Sequence, residues 1–248
     1  MTDHGPRIYC PPSLVAGERH TLTGDQHRHI AQVLRLKAGA ALTLFDGRGG
    51  EYAAVIEEVQ RSSSTVRTGE HRDVDRESSL ELRLVQGIGR GERTDYAIQK
   101  AVELGVTSIV PVLTRRGVVR LDGQRAQRRH AHWQGIIVHA CQQCGRNRLA
   151  ELAPAVSLSD WLRSHQTGGL DLVLDARASA GMSELAYDGG VITLLVGPEG
   201  GFDDAEREAA YAMGFVGLAL GPRTLRTETA AVAAVTAMQL RWGDLGSR

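Results

Sequence analysis

Val191-Ile192-Thr193-Leu194-Leu195-Val196-Gly197-Pro198-Glu199-Gly200-Gly201-Phe202 is an apolar run that breaks into a glycine-rich loop. A second break follows in Leu220-Gly221-Pro222-Arg223-Thr224-Leu225-Arg226-Thr227-Glu228-Thr229-Ala230, just before a long apolar helical pattern. Both loops stand where a buried strand hands over to a helix. Open α/β sheets bind ligands outside the carboxyl ends of their strands, so both loops lie where a cofactor would sit. Glycine lets a ligand approach the backbone closely enough for N–H and C=O groups to read it.

Working outward, strands and helices alternate. Leu80–Val85, Val106–Leu113, Leu170–Leu174, Val191–Val196 and Phe215–Leu220 read as strands. Helices are expected over Thr94–Leu104, Gln124–Cys144, Leu158–His165, Asp203–Met213 and Glu228–Arg241, with Gly105 ending the first and Asp203 and Glu206 forming a capping box. Such alternation implies a mostly parallel sheet covered on both faces. Residues 1 to about 70 differ: they read as β-rich, with Ala41–Phe45 and Glu51–Ile56 flanking an Asp46–Gly50 turn and a short helix over Asp25–Arg35. Arg61–Ser79 is polar without apolar periodicity, and the domain boundary is expected there.

Composition narrows the class. The 248 residues are 42% hydrophobic, enough for one large core or two modest ones. No apolar stretch approaches a membrane span, and Met1–Arg7 carries no signal-peptide core, so a cytoplasmic protein is expected. Three cysteines form no disulfide framework; Cys141 and Cys144 are spaced CxxC, but no second pair completes a zinc site, and no metal is expected. Net charge is zero, yet Leu82–Ala150 holds 12 Arg or Lys against 4 Asp or Glu, the footprint of a phosphate-binding face. Gly87-Ile88-Gly89-Arg90-Gly91 lacks GxGxxG spacing and reads as a turn leading to the Tyr96 helix, near the substrate.

The GPEGGF and LRTETA loops together resemble the ribosomal RNA small subunit methyltransferase E family, SPOUT-class enzymes that methylate N3 of a uridine in 16S rRNA. Val33-Leu34-Arg35, Leu44-Phe45-Asp46-Gly47, Ile98–Val106 and Gln143-Cys144-Gly145-Arg146 extend the resemblance over nearly the whole chain. Ala150 stands where the family has proline. The resemblance implies a PUA-like RNA-binding β-barrel over 1–72 and a SPOUT α/β methyltransferase domain with a C-terminal trefoil knot over 73–248. Periodicity alone shows no knot. It also implies a homodimer with the last helix at the interface; the face Ala230, Ala231, Ala234, Val235 and Met238 is compatible with that or with internal core.

The cofactor implied is S-adenosylmethionine. Its expected site takes Leu174, Leu195, Val196, Gly197, Pro198, Glu199 and Gly200 from the first sheet ends and loop. Leu220, Gly221, Leu225, Arg226 and Thr227 come from the second loop. Backbone groups of Gly197, Gly200, Leu220 and Leu225 would read the ligand, and Leu195, Leu220 and Leu225 would wall an apolar slot. Loss of the uridine N3 proton places negative charge on O2, N3 and O4. Arg226, of the wrong sign for a helix start, is the candidate stabiliser of that charge. Glu228, a backbone group or water is the proton acceptor; Arg226 and Glu228 are the catalytic candidates. Arg7, Arg28, Arg35, Arg115, Arg116, Arg146 and Arg148 are candidate RNA contacts. Two alternatives stay open: a related SPOUT enzyme acting on another rRNA or tRNA position, and a non-catalytic RNA-binding homologue.

Overall fold

The computed structural model describes residues 5–11, 14–117 and 122–246. Met1–His4, part of the segment read for a signal peptide, lies outside them. The chain divides into two compact units, Met1–Glu77 with Cys141–Leu149, and Ser78–Ala140 with Ala150–Arg248.

The first unit is a curled five-stranded sheet. Its elements are β1 (Arg7–Tyr9), β2 (Arg19–Thr23), the short helix α1 (Gly24–Arg28), β3 (Ala41–Phe45), β4 (Glu51–Val59) and β5 (Ser63–Arg72), in sheet order β1-β3-β4-β5-β2. The β1–β3 pair is parallel and the others are antiparallel. Ile8, Leu22, Ile30, Leu44, Ile56 and Val66 form its core. β5 falls inside the stretch read from sequence as boundary. Its inward positions include Ser64 and Thr68, both buried, so polar residues fill the core-facing sites and hide the alternation.

Cys141–Leu149 returns to this unit through ionic contacts. Arg146 is buried and its guanidinium holds Glu77 at 2.6 Å. Arg7 pairs with the buried Glu51 and donates to the Arg146 carbonyl at 3.2 Å. Burial raises the Glu51 carboxyl, but Arg7 and Arg76 outweigh it and hold the group below the usual range.

The second unit runs β6 (Leu82–Gly87), α2 (Arg93–Glu103), β7 (Ser108–Leu113), α3 (Gly123–Cys144, its last turn belonging to the first unit), β8 (Glu151–Leu152) and β9 (Val156–Ser157). It continues through α4 (Leu158–Ser164), β10 (Gly169–Leu174), β11 (Val191–Val196), α5 (Asp204–Ala212), β12 (Val216–Leu218) and α6 (Thr227–Trp242). Every strand pair is parallel, in the order β12-β10-β11-β6-β7-β8, with β9 also on β7. The chain leaves β6 toward β7 on one side and later fills β11, β10 and β12 on the other. The β6/β11 boundary is therefore a topological switch point.

The helices start and stop as their sequences dictate. Asp203 accepts from the Glu206 N–H at 2.7 Å and Glu206 answers to the Asp203 N–H at 3.0 Å, closing the capping box of α5. Gly105, at φ +88°, takes the left-handed position that ends α2. Val85, Val112, Trp161, Val173, Leu195 and Phe215 fill one core. α2 packs against α6. Ala231, Ala234, Val235 and Met238, four of the five residues of the α6 face weighed as an interface, are buried within this one chain; Ala230 is part-buried.

Candidate active site

The switch point is built from backbone in close contact. A Cβ on Gly87, at the end of β6, would lie 2.5 Å from Pro198 Cδ and 2.6 Å from its nitrogen. A Cβ on Gly89 would lie 2.9 Å from a Glu199 carboxylate oxygen. The Gly87–Gly91 turn thus packs directly on the Gly197–Gly201 loop, and glycine is required for that approach.

Side chains lock the second loop to the first. The Thr227 hydroxyl donates to the Gly197 carbonyl at 2.5 Å and accepts from Gln86 Nε2 at 3.0 Å. Gln86, fully buried, also donates to the Gly87 carbonyl at 3.0 Å. Glu199 accepts the Arg90 N–H at 2.8 Å and pairs with Arg93 at 2.7 Å. Burial raises its carboxyl, while the N–H groups of Glu199 and Arg90 and the Arg93 guanidinium together hold it below the ordinary range.

Two cavities open at this junction. One, about 570 Å³, is lined by Leu174 and Asp175 at the end of β10, Val196 to Phe202 from the end of β11 onward, and Leu220, Gly221 and Thr224 to Thr227 from the second loop into the start of α6. The other, about 890 Å³, is lined by Arg90, Arg93, Tyr96, Arg116, Arg226 and Glu228, with Glu199 and Gly200 at its edge. Arg93, Arg116, Glu199, Gly200 and Arg226 belong to both walls. Arg226 occupies the exposed residue before α6 and makes no side-chain cap. Glu228 Oε2 is shut off from solvent and has no hydrogen-bond partner among the described residues.

The architecture and loops match known proteins. The family described as RNA methyltransferase domain matches residues 76–239, and the one described as RNA methyltransferase PUA domain matches residues 22–68. Ribosomal RNA small subunit methyltransferase E of Buchnera aphidicola is 31% identical over 240 residues, covering 97% of this chain and 98% of its own. This chain belongs to the ribosomal RNA small subunit methyltransferase E family. The family member of Neisseria gonorrhoeae, solved bound to S-adenosyl methionine, is 38% identical with a TM-score of 0.93, covering 97% of this chain and 99% of that one. A Legionella pneumophila protein solved with bound SAM is 38% identical with a TM-score of 0.94, covering 98% of this chain and 100% of that one.

Against this family frame, the expected cofactor residues converge on the smaller cavity, with one exception. Leu195 faces the core with Val85 and Val173, and its neighbour Val196 takes the cavity wall. Asp175, Ala176, Phe202, Leu218 and Ala230 also line it; the first two follow a strand end whose position beside β11 no linear motif reveals.

The arginines expected to meet RNA separate by environment. The guanidinium groups of Arg7 and Arg146 pair with Glu51 and Glu77 inside the first unit. Arg28, Arg35, Arg115, Arg116 and Arg148 are exposed. Arg28 pairs with Asp25, Arg115 reaches Asp203 at 3.4 Å, and Arg116 donates to the Gly200 carbonyl at 3.4 Å. Cys141 lies buried near the end of α3 and donates to the Arg148 carbonyl at 3.6 Å.

Proposed function

We propose that this chain methylates N3 of a uridine in 16S rRNA of the small ribosomal subunit, with S-adenosylmethionine as donor. The observation carrying this reading is the shared wall of the two cavities at Glu199, Gly200 and Arg226. A donor in the smaller cavity and a base in the larger would meet there. The smaller cavity fits the donor: its volume lies within the roughly 300–1,000 Å³ of small-molecule sites. Val196, Leu220 and Leu225 offer apolar surface, and Gly197 leaves a cradle in which a Cβ would lie 3.1 Å from Gly201 Cα.

When bound, S-adenosylmethionine supplies an electrophilic methyl on a sulfonium, so the protein needs no covalent nucleophile. Arg226 stabilises the negative charge that spreads over O2 and O4 as N3 loses its proton. Glu228, which lines the same cavity, receives the proton as N3 gains the methyl. Thr227 and Gln86 hold the loops in register, which fixes the approach of donor and acceptor. Glu199 is held by Arg93 and Arg90 and shapes the wall between the cavities.

In this reading Arg28, Arg35 and Arg148 of the first unit, and separately Arg115 and Arg116 of the second, contact RNA phosphates. The proposal extends to a knotted C-terminal region and a homodimer, both implied by the family resemblance, and to a cytoplasmic location. Among the described residues, no helix is long and apolar enough to cross a membrane. Nucleoside mass spectrometry of 16S rRNA from cells with and without the gene tests the reading. Loss of 3-methyluridine supports it; unchanged 3-methyluridine with loss of another methylated nucleoside would reassign the target.

A further inference from the structure

The larger cavity holds an aromatic side chain to which the chemistry above gives no role. Tyr96 is 49% exposed, in a chain whose aromatic content is only 4%. It is the aromatic residue of that cavity's wall, alongside Arg226 and Glu228. Lys100 Nζ lies over one face of the ring, 5.8 Å from its centroid, which leaves the opposite face for a stacking partner; the neighbours of Tyr96 in sequence fix where the ring sits. Thr94 is buried and accepts the Gly89 N–H at 2.9 Å. Asp95 is held from α3 by Trp133 Nε1 at 2.9 Å and His132 Nε2 at 2.7 Å. Arg129 adds a 3.4 Å contact to the same carboxylate and donates to the Gly91 carbonyl at 3.1 Å. Tyr96 therefore projects from a helix start braced on both flanks, a rigid support for a contact surface.

Arg90 lines the same cavity. Its N–H is committed to Glu199, but its guanidinium has no hydrogen-bond or ion-pair partner among the described residues. An exposed ring and a free guanidinium in one basic cavity match a nucleotide: a π-face for the base and a cation for its phosphate. N3 lies on the Watson–Crick edge, so its chemistry requires an unpaired base, and a base extruded to reach the site loses stacking that an aromatic side chain can replace.

We infer that Tyr96 is the stacking surface that holds the target uracil in the larger cavity, with Arg90 gripping the adjoining phosphate. This rests on the uridine-methylation reading and adds to it two residues that position substrate. Replacing a stacking ring costs about 1–3 kcal/mol per base, about five- to 150-fold in affinity. The loss falls on RNA saturation, since Tyr96 does not line the donor cavity.

The test is single-turnover methylation of small ribosomal subunits from cells lacking the gene, titrated with intact wild type and variants. Y96A should raise the half-saturating concentration about tenfold or more, with S-adenosylmethionine affinity by calorimetry unchanged. Y96F, which keeps the ring, should restore saturation; Y96L, apolar without a π-face, should not. R90Q should flatten the slope of log affinity against log salt by about 0.7–0.9, one phosphate contact. If Y96L matches Y96F, or if Y96A saturates like wild type, the stacking role is overturned while the function stands. If Y96A instead changes the sedimentation-derived oligomeric state, the ring is a contact between copies and the inference falls. If the wild type forms no 3-methyluridine, both readings fall together.

Discussion

Arg93 pairs with Glu199 at 2.7 Å, whereas Arg226, in the wall the two cavities share, has no carboxylate partner among the described residues. Under the proposed function the two cations take different tasks: Arg93 is neutralised by Glu199, and Arg226 is left to meet charge that develops on the substrate. Arg226→Ala should reduce the single-turnover rate about 10²–10³-fold, the effect of removing one electrostatic stabiliser. Affinities for RNA and donor should change far less, because the contact is made in the transition state. Arg226→Lys should recover little if the planar guanidinium spans the uracil edge. A normal rate with weakened binding would move the catalytic role elsewhere.

The same ion pair predicts a pH dependence of stability. The native Glu199 carboxyl lies below its ordinary value of 4.5, so it contributes fully above that value. Its contribution is lost as pH falls through the lower native value. Denaturant unfolding of wild type and Glu199→Gln should therefore differ by a constant amount near neutrality. The gap should close as pH drops below the ordinary carboxylate range. A gap that persists in acid would mean that Glu199 acts through packing alone.

Thr227→Val keeps shape but removes the hydroxyl that joins the two loops. Gln86 Nε2 loses an acceptor, and the Gly197 carbonyl loses a donor. Leaving buried polar groups unpaired costs about 1–3 kcal/mol. Calorimetry should show weaker S-adenosylmethionine binding, and thermal unfolding a lower midpoint. Thr227→Ser should restore both. If valine binds the donor as tightly as threonine, the linkage is not what shapes the cavity.

Arginines of similar appearance in sequence should separate by assay. Replacing exposed Arg115 and Arg116 by Gln should weaken RNA binding and flatten its salt dependence through lost counterion release. Donor affinity should persist. Arg146→Ala should instead lower stability by about 3–5 kcal/mol, because Glu77 is left as a part-buried charge without its partner. A stable Arg146→Ala protein with an altered salt slope would return that residue to the RNA face.

The parts legible in the sequence were those where local chemistry dictates the outcome. Apolar runs over 170–174 and 191–196, the Asp203–Glu206 capping box and the Gly105 stop all depend on near neighbours, and each is present. β5 was hidden because Ser64 and Thr68 occupy core-facing positions that a hydrophobic alternation would have marked. Leu195 packs into the core rather than onto the cavity wall, and the sequence hides this because β11 is buried on both faces, Thr193 included, so polarity does not set its phase. The contact of Gly87 and Gly89 with the Gly197 loop depends on β6 lying beside β11, a pairing separated by more than a hundred residues. Arg7 and Arg146 look like surface cations until Glu51 and Glu77 are brought to them by tertiary structure.

The return of Cys141–Leu149 to the first unit makes the protein hard to divide. The backbone passes between units three times, after Glu77, after Ala140 and after Leu149. One cut near residue 77 therefore frees neither half. The C-terminal fragment would still carry Arg146 and Asn147 but would lack Glu77, Glu51 and Arg7, the groups that satisfy them. A charge buried in the intact chain would enter the fragment unmatched. Gene fusions or truncations that treat the first unit as a detachable module should thus yield insoluble remainders, and evolution by module exchange at that junction is correspondingly constrained.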